Sequence, residues 1–299
     1  MKKTSLFILL LFCSTVNAQE VIDLYPDGVP NAKVTGTDQS PHNGLVRQVL
    51  NPTLEVYRPS GEDVSKAAVI VVPGGGYSVL VYNGEGVNTA KEFARNGVTA
   101  FVLKYRLPHD TLQTNKTIAP LQDAQQAIKT VRENAEKWNI SPDEIGIMGF
   151  SAGGHLASTA ATHFKESVIQ NENSTSLRPD FQILVYPVIS MQDSLTHADS
   201  KRKLLGESPS KEMVDKYSNE LQITENTPLA YITHAGDDDL VVVENSLRYY
   251  KQLLKHQVPA ELHLYPEGGH GFIFRQPIDE WMHPLFRWLS NSGFINVSE

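Results

Sequence analysis

The sequence predicts an α/β fold: a mostly parallel central sheet with helices on both faces. Two observations carry this. Short apolar runs alternate with stretches at helical spacing through most of the 299 residues, the pattern of a parallel sheet with crossover helices. A Gly-x-Ser-x-Gly pentapeptide, Gly149 to Gly153, also stands where one such apolar run gives way to a helical stretch. With 40% hydrophobic and 20% charged residues the composition is that of a globular chain and supports a sizeable core.

The predicted strands are 54–57, 67–72, 98–104, 144–148, 181–186, 230–234 and 261–265. They are rich in Val, Ile, Leu and aromatic residues and are bounded by Gly, Pro, Asn and Asp, as strand ends require. Helical spacing fills 88–95, 121–138, 152–164, 243–255 and 281–289 between or after them. Before residue 51 lies a lead-in punctuated by Pro and Gly. The least regular stretch, 189–228, is polar and helix-prone in pieces, and is expected to form a small lid-like insertion over the C-terminal edge of the sheet. No repeat or low-complexity segment interrupts the order, so residues 19–299 are expected to form a single domain.

Residues 1–18 read as an export signal, with Lys2 and Lys3, an apolar stretch over 6–13 and a small-residue end at Ala18. Periplasmic or secreted localisation is the expectation. Cys13, the one cysteine, lies in that segment, so no disulfide is expected after its removal. No later segment approaches the roughly 20 apolar residues of a membrane span. A formal charge of −8 with no extended basic run argues against nucleic acid or an anionic membrane as partner. No metal-ligand spacing such as H-E-x-x-H occurs among the ten histidines, and neither metal nor cofactor is expected.

The chemistry is read from Ser151 outward. A strand turning sharply into a helix forces the residue at the corner into a strained backbone, and flanking glycines remove the clashes. Ser151 then presents its hydroxyl at a helix N-terminus, where the dipole favours developing negative charge. A serine hydroxyl needs a base, and the base needs an acid to orient it. After such an elbow the expected chain order is Ser, Asp, His. Asp237, Asp238 and Asp239 follow the strand at 230–234. Asp238 is selected, because apolar Leu240 to Val242 suit a chain turning back under the sheet just after the acid. Asp237 and Asp239 read as solvated turn residues or local acceptors. His270, set among Gly268, Gly269 and Gly271 after the last strand, is the base. His155, on the helix after Ser151, reads as packing. The glycines Gly74 to Gly76 follow the strand at 67–72, and the backbone amides of Gly75, Gly76 and Ala152 are assigned to an oxyanion hole. Tyr77 and Tyr186 are candidates for lining the acyl or sugar pocket, with simple packing as the alternative for each.

These motifs resemble the α/β-hydrolase esterases related to hormone-sensitive lipase, and within them the bacterial acetyl xylan and feruloyl esterases. The resemblance runs from Pro73–Tyr77 through Tyr105, Arg106, Leu107 and the Ser151 elbow to Gly268, Gly269 and His270. It departs from the family pattern at Pro73, where a histidine usually opens the glycine motif, and at Val242, where proline is frequent. It implies a secreted serine carboxylesterase acting on acetyl or feruloyl esters of xylan or xylo-oligosaccharides. It also implies that Arg106 and Asp123 form a buried ion pair. The rival readings are a prolyl-oligopeptidase-like peptidase, whose extra domain the length does not accommodate, and a catalytically inactive carbohydrate-binding homologue. A glycoside hydrolase would need two opposed carboxylates instead of a serine relay. Oligomeric state is not set by these features.

Overall fold

The structure, a computed structural model, describes residues 19–38, 41–61 and 64–295. The expected export segment and Cys13 lie outside the described residues. The strands are β1 (Val21–Asp23), β2 (Thr53–Tyr57), β3 (Ala68–Val72), β4 (Thr99–Lys104), β5 (Ile145–Phe150), β6 (Phe181–Val185), β7 (Leu229–Ala235) and β8 (Ala260–Tyr265). They form one sheet in the order β1-β2-β4-β3-β5-β6-β7-β8. β2 pairs antiparallel with both β1 and β4, and every pairing from β4 through β8 is parallel. All seven predicted strands are present. β1 is the addition, a three-residue edge strand with too few residues to leave an alternation pattern.

The helices are α1 (Asn88–Arg95), α2 (Ala119–Glu133), α3 (Ser151–Thr162), α4 (Ala198–Leu205), α5 (Lys211–Lys216), α6 (Glu244–Lys255) and α7 (Ile278–Asn291). β3, β5 and β6 are buried along their whole lengths. That is why they read as unbroken apolar runs, since helices cover both faces of a parallel sheet. The two faces are distinguished at the end of β5. Phe150 packs edge-on against Trp281 of α7, with ring centroids 6.2 Å apart, while the adjacent Gly149 faces the Ala157 methyl of α3. Successive strand residues point to opposite faces, so α7 and α3 cover opposite sides. α1 joins α7 through the edge-on pair of Phe93 and Phe286, 5.5 Å apart. Each fully buried side chain of this size contributes about 1.5–3 kcal/mol.

Two local features depart from the predicted elements, and the 189–228 stretch is helical in pieces, as expected. A π-helical turn, Tyr82–Val87, precedes α1. The predicted helix at 121–138 is α2 followed by a separate 3-10 turn, Ala135–Trp138. The stretch 189–228 contains α4, α5 and a 3-10 turn, Asn219–Leu221.

The strand order itself locates a crevice. From β3 the chain crosses to β4 on one side, and from β5 it crosses to β6 on the other. The loops leaving the C-terminal ends of β3 and β5 therefore part, and ligands of open α/β sheets bind at such a switch point. The loop of Gly74 to Gly76 leaves β3, and Ser151 leaves β5.

Candidate active site

Ser151 is the first residue of α3 and has φ of +51°, in the left-handed region that non-glycine residues rarely occupy. The strain persists because the turn is clamped. A side chain at Gly153 would run into the carbonyl oxygens of Val72 and Pro73, so only glycine lets α3 sit this close to the end of β3. Ser151 is 5% exposed and lies at the positive end of the helix dipole.

The structure brings Ser151, His270 and Asp238 into one hydrogen-bonded relay. Ser151 Oγ is 2.9 Å from His270 Nε2, and His270 Nδ1 is 2.8 Å from Asp238 Oδ2. An ionised carboxylate only accepts, so Nδ1 carries the ring proton and Nε2 is left to accept from the serine hydroxyl. The remaining acceptor sites of Asp238 are occupied. Oδ1 accepts from the amides of Leu240 and Val241 at 3.0 and 2.9 Å. Burial alone would raise this carboxyl, but the hydrogen bonds from His234, His270 and the Val241 amide hold it well below the usual carboxylate range.

Asp237 serves the same loop from outside. Its carboxylate accepts from the amides of Gly268 and Gly269 at 3.1 and 2.7 Å, immediately before His270. Across the ring from solvent, Tyr186 packs edge-on against His270 with centroids 4.9 Å apart.

The loop after β3 turns at Gly75, where φ is +125° and a side chain would meet the Val79 carbonyl. Among the described residues, the amides of Gly75, Gly76 and Ala152 have no protein acceptor. Backbone donors without an acceptor are what a developing oxyanion requires, and this loop touches the elbow at Gly74, where a Cβ would stand 2.9 Å from Ser151 Cβ.

Tyr77 and Tyr186 are 1% and 0% exposed, so neither ring presents surface to a ligand: burial removes the pocket-lining reading and leaves the packing one. The Tyr77 hydroxyl is 2.9 Å from His155 Nδ1, and the Tyr186 hydroxyl donates to Glu85 at 3.0 Å. His155 faces the Tyr217 carbonyl with its other nitrogen at 2.8 Å. Its burial pushes the imidazole down to about 4, so the ring is neutral packing. Arg106 and Asp123 form a buried ion pair, Nη2 to Oδ1 at 2.7 Å, that ties the loop after β4 to α2.

Sequence reasoning gives no role to His234 or Glu85 and reads His197 as an ordinary surface or loop residue. His234, inside β7, points its Nε2 at the Val241 carbonyl (2.8 Å) and at Asp238 Oδ2 (3.2 Å). The available signal was a histidine inside a buried strand just ahead of three aspartates. Glu85 is 4% exposed, and its Oε2 accepts from the Gly74 amide at 2.5 Å. Its signal was an acid between two glycines, Gly84 and Gly86, ahead of a helix. His197 belongs to the 189–228 stretch, and its Cε1 lies 3.7 Å from where a Gly76 Cβ would stand. Nothing local in the sequence marks it. A polar groove of about 650 Å³ opens within the same stretch, lined by residues including Asp193, Arg202 and Lys211 but by none of the relay.

Among the described residues no cluster of three or more His, Cys, Asp or Glu could hold a metal ion. Also among them, no helix is long and apolar enough to cross a membrane.

The family model BD-FAE matches residues 54–253, from β2 to α6. An acetylxylan esterase of Xylanibacter ruminicola is 38% identical over 237 residues, covering 77% of this chain and 46% of that protein. The endo-1,4-beta-xylanase B of Butyrivibrio fibrisolvens is 38% identical over 212 residues, covering 70% of this chain and 33% of that protein. The chain thus spans less than half the length of these curated relatives. An acetyl ester-xyloside bifunctional hydrolase from Caldicellulosiruptor lactoaceticus superposes with a TM-score of 0.77 at 36% identity, covering 95% of this chain and all of that one. With the family match extending from β2 through β7 and over the Ser151 elbow and the loop of Asp238, the chain belongs to the BD-FAE family and has the α/β-hydrolase fold.

Proposed function

We propose that this chain is a serine carboxylesterase that removes acetyl groups from xylan or xylo-oligosaccharides, with Ser151, His270 and Asp238 as its triad. The observation that carries the reading is the relay from Ser151 Oγ through His270 to Asp238, at 2.9 and 2.8 Å; it is supported by the contact of Gly74 with the elbow and by the lack of an acceptor for the amides of Gly75, Gly76 and Ala152 among the described residues. Ser151 Oγ attacks the ester carbonyl carbon as His270 Nε2 takes its proton. The carbonyl oxygen becomes an oxyanion held by the amides of Gly75, Gly76 and Ala152. His270 gives the proton to the departing sugar oxygen, which leaves an acyl-serine. Water then attacks that carbonyl, again losing its proton to His270, and acetate and free Ser151 are released. Asp238 holds the ring in the productive tautomer and stabilises its cation throughout.

The acetyl preference rests on the relatives named for acetyl esters, and feruloyl esters are the second acyl class to test. Residues 19–299 act as one domain in this reading. The 189–228 stretch acts as its lid, because His197 brings that stretch to the oxyanion loop. Export through residues 1–18 puts the enzyme where a polymer is accessible. Acetate and ferulate release from natural xylan, by wild type and Ser151→Ala, tests the nucleophile and the acyl preference. Acetate release lost in the variant is expected. Hydrolysis retained above a few per cent in Ser151→Ala, with the fold unchanged by circular dichroism, refutes the triad. A wild type inert on xylan and on p-nitrophenyl acetate supports a binding module instead.

A further inference from the structure

We propose that Glu85 is a positioning residue for the esterase reaction: its carboxylate latches the oxyanion loop to the Tyr186 ring that backs His270. The inference rests on the triad reading above. Glu85 reaches the site because the π-helical turn at Tyr82–Val87 widens the backbone by one residue and points it inward, and such turns recur at functional sites.

The latch has two arms. Oε2 accepts the Gly74 amide at 2.5 Å, and Oε1 accepts the Tyr186 hydroxyl at 3.0 Å. Gly74 is where the loop touches the elbow: a Cβ there would stand 2.9 Å from Ser151 Cβ and 2.5 Å from the Phe150 carbonyl oxygen. Movement of Gly74 therefore shifts the donors of Gly75 and Gly76 relative to Ser151. On the other arm, Tyr186 lies against the His270 ring, 4.9 Å between centroids. One side chain thus sets the spacing between the donors and the base, and a displacement near 1 Å in such a site costs about a hundred-fold in rate.

A purely structural role does not account for the choice of residue. A buried carboxylate is costly without a cation. Among the described residues Glu85 forms no ion pair, and its carboxylate accepts only from the Gly74 amide and the Tyr186 hydroxyl. The titratable groups facing it are His270, Tyr105, from the end of β4, and Tyr186, itself in the field of Asp238. Burial pushes the Glu85 carboxyl up to about 7, against the pull of the Gly74 amide, the Tyr186 hydroxyl and His270. Its charge therefore changes in the range where an esterase works, and the carboxylate form is the one with two free acceptors for both arms.

Glu85→Gln, which keeps the shape and loses the charge, tests this with p-nitrophenyl acetate. The expected result is a kcat at least about ten-fold lower with KM within about two-fold. The acidic limb of kcat/KM should also change, from steeper than one proton in wild type to a one-proton slope in the variant. Tyr186→Phe supplies the second arm of the test. Without that hydroxyl the carboxyl binds its proton more tightly, so the acidic limb moves to higher pH. A Glu85→Gln enzyme with wild-type kcat and slope overturns the proposal, as does an unmoved limb in Tyr186→Phe. Ser151→Ala is the control. If it is inactive while Glu85→Gln is normal, the latch alone fails; if it is active, the triad reading fails and the latch with it.

Discussion

His234 Nε2 lies 3.2 Å from the same Asp238 oxygen, Oδ2, that accepts from His270. One carboxylate oxygen thus faces two imidazoles, one buried in β7 and one at the mouth of the site. His234 is held in turn by the Val241 carbonyl at 2.8 Å and Ser246 Oγ at 2.7 Å. His234→Leu leaves those buried groups unpaired and should cost about 1–3 kcal/mol of stability. It should also lower kcat without abolishing it, because Asp238 keeps the amides of Leu240 and Val241. Urea unfolding and steady-state kinetics on one preparation check both parts.

The adjacent aspartates should separate cleanly. Asp238→Asn presents a donor to His270 Nδ1 and favours the wrong tautomer, and kcat should fall by roughly 10³–10⁴. Asp237→Asn keeps an acceptor near the amides of Gly268 and Gly269 and touches no reacting group, so kcat should remain within about ten-fold. Parallel kinetics on the two variants decide the matter. Equal losses would reassign the acid.

Arg106→Met tests the anchor beneath the loop after β4. It leaves Asp123, fully buried, without its guanidinium. Breaking a buried pair from one side costs about 3–5 kcal/mol. A fall in the denaturation midpoint of that order is expected. A change under 1 kcal/mol would mean that Asp123 finds other partners.

Stability should also carry the Glu85 titration. The carboxyl is raised from its ordinary 4.5 to about 7 in the folded protein. Between those values the folded state holds a proton that the unfolded chain has released, so this contribution is full below about pH 4.5 and declines as pH rises through 7. Glu85→Gln lacks the titration. Relative to wild type the variant should gain stability between pH 4.5 and 7, on the order of 3 kcal/mol at most, and the gap should then level off. Thermal melts of both proteins at several pH values across that window measure it.

The parts legible in sequence are those with a local cause. β3, β5 and β6 are covered on both faces, so their residues form apolar runs that need no partner to be recognised. Ser151 is marked by a strand end, a helix start and the glycines such a corner demands. His270 and Asp238 follow from the loops that end β8 and β7. The short edge strand β1 left no such trace, because three residues hold no period.

What the sequence determined by itself was therefore the fold class and the strand-to-helix corner at Ser151, each written in contiguous residues by sterics and hydrophobic period. The tertiary structure alone decided the rest. It turned Tyr77 and Tyr186 inward to His155 and Glu85, set His234 behind Asp238 and brought His197 to Gly76. Tyr186 and Glu85 are 101 positions apart in the chain. Burial and hydrogen-bond partners at that separation are products of packing across the sheet, and no local pattern encodes them.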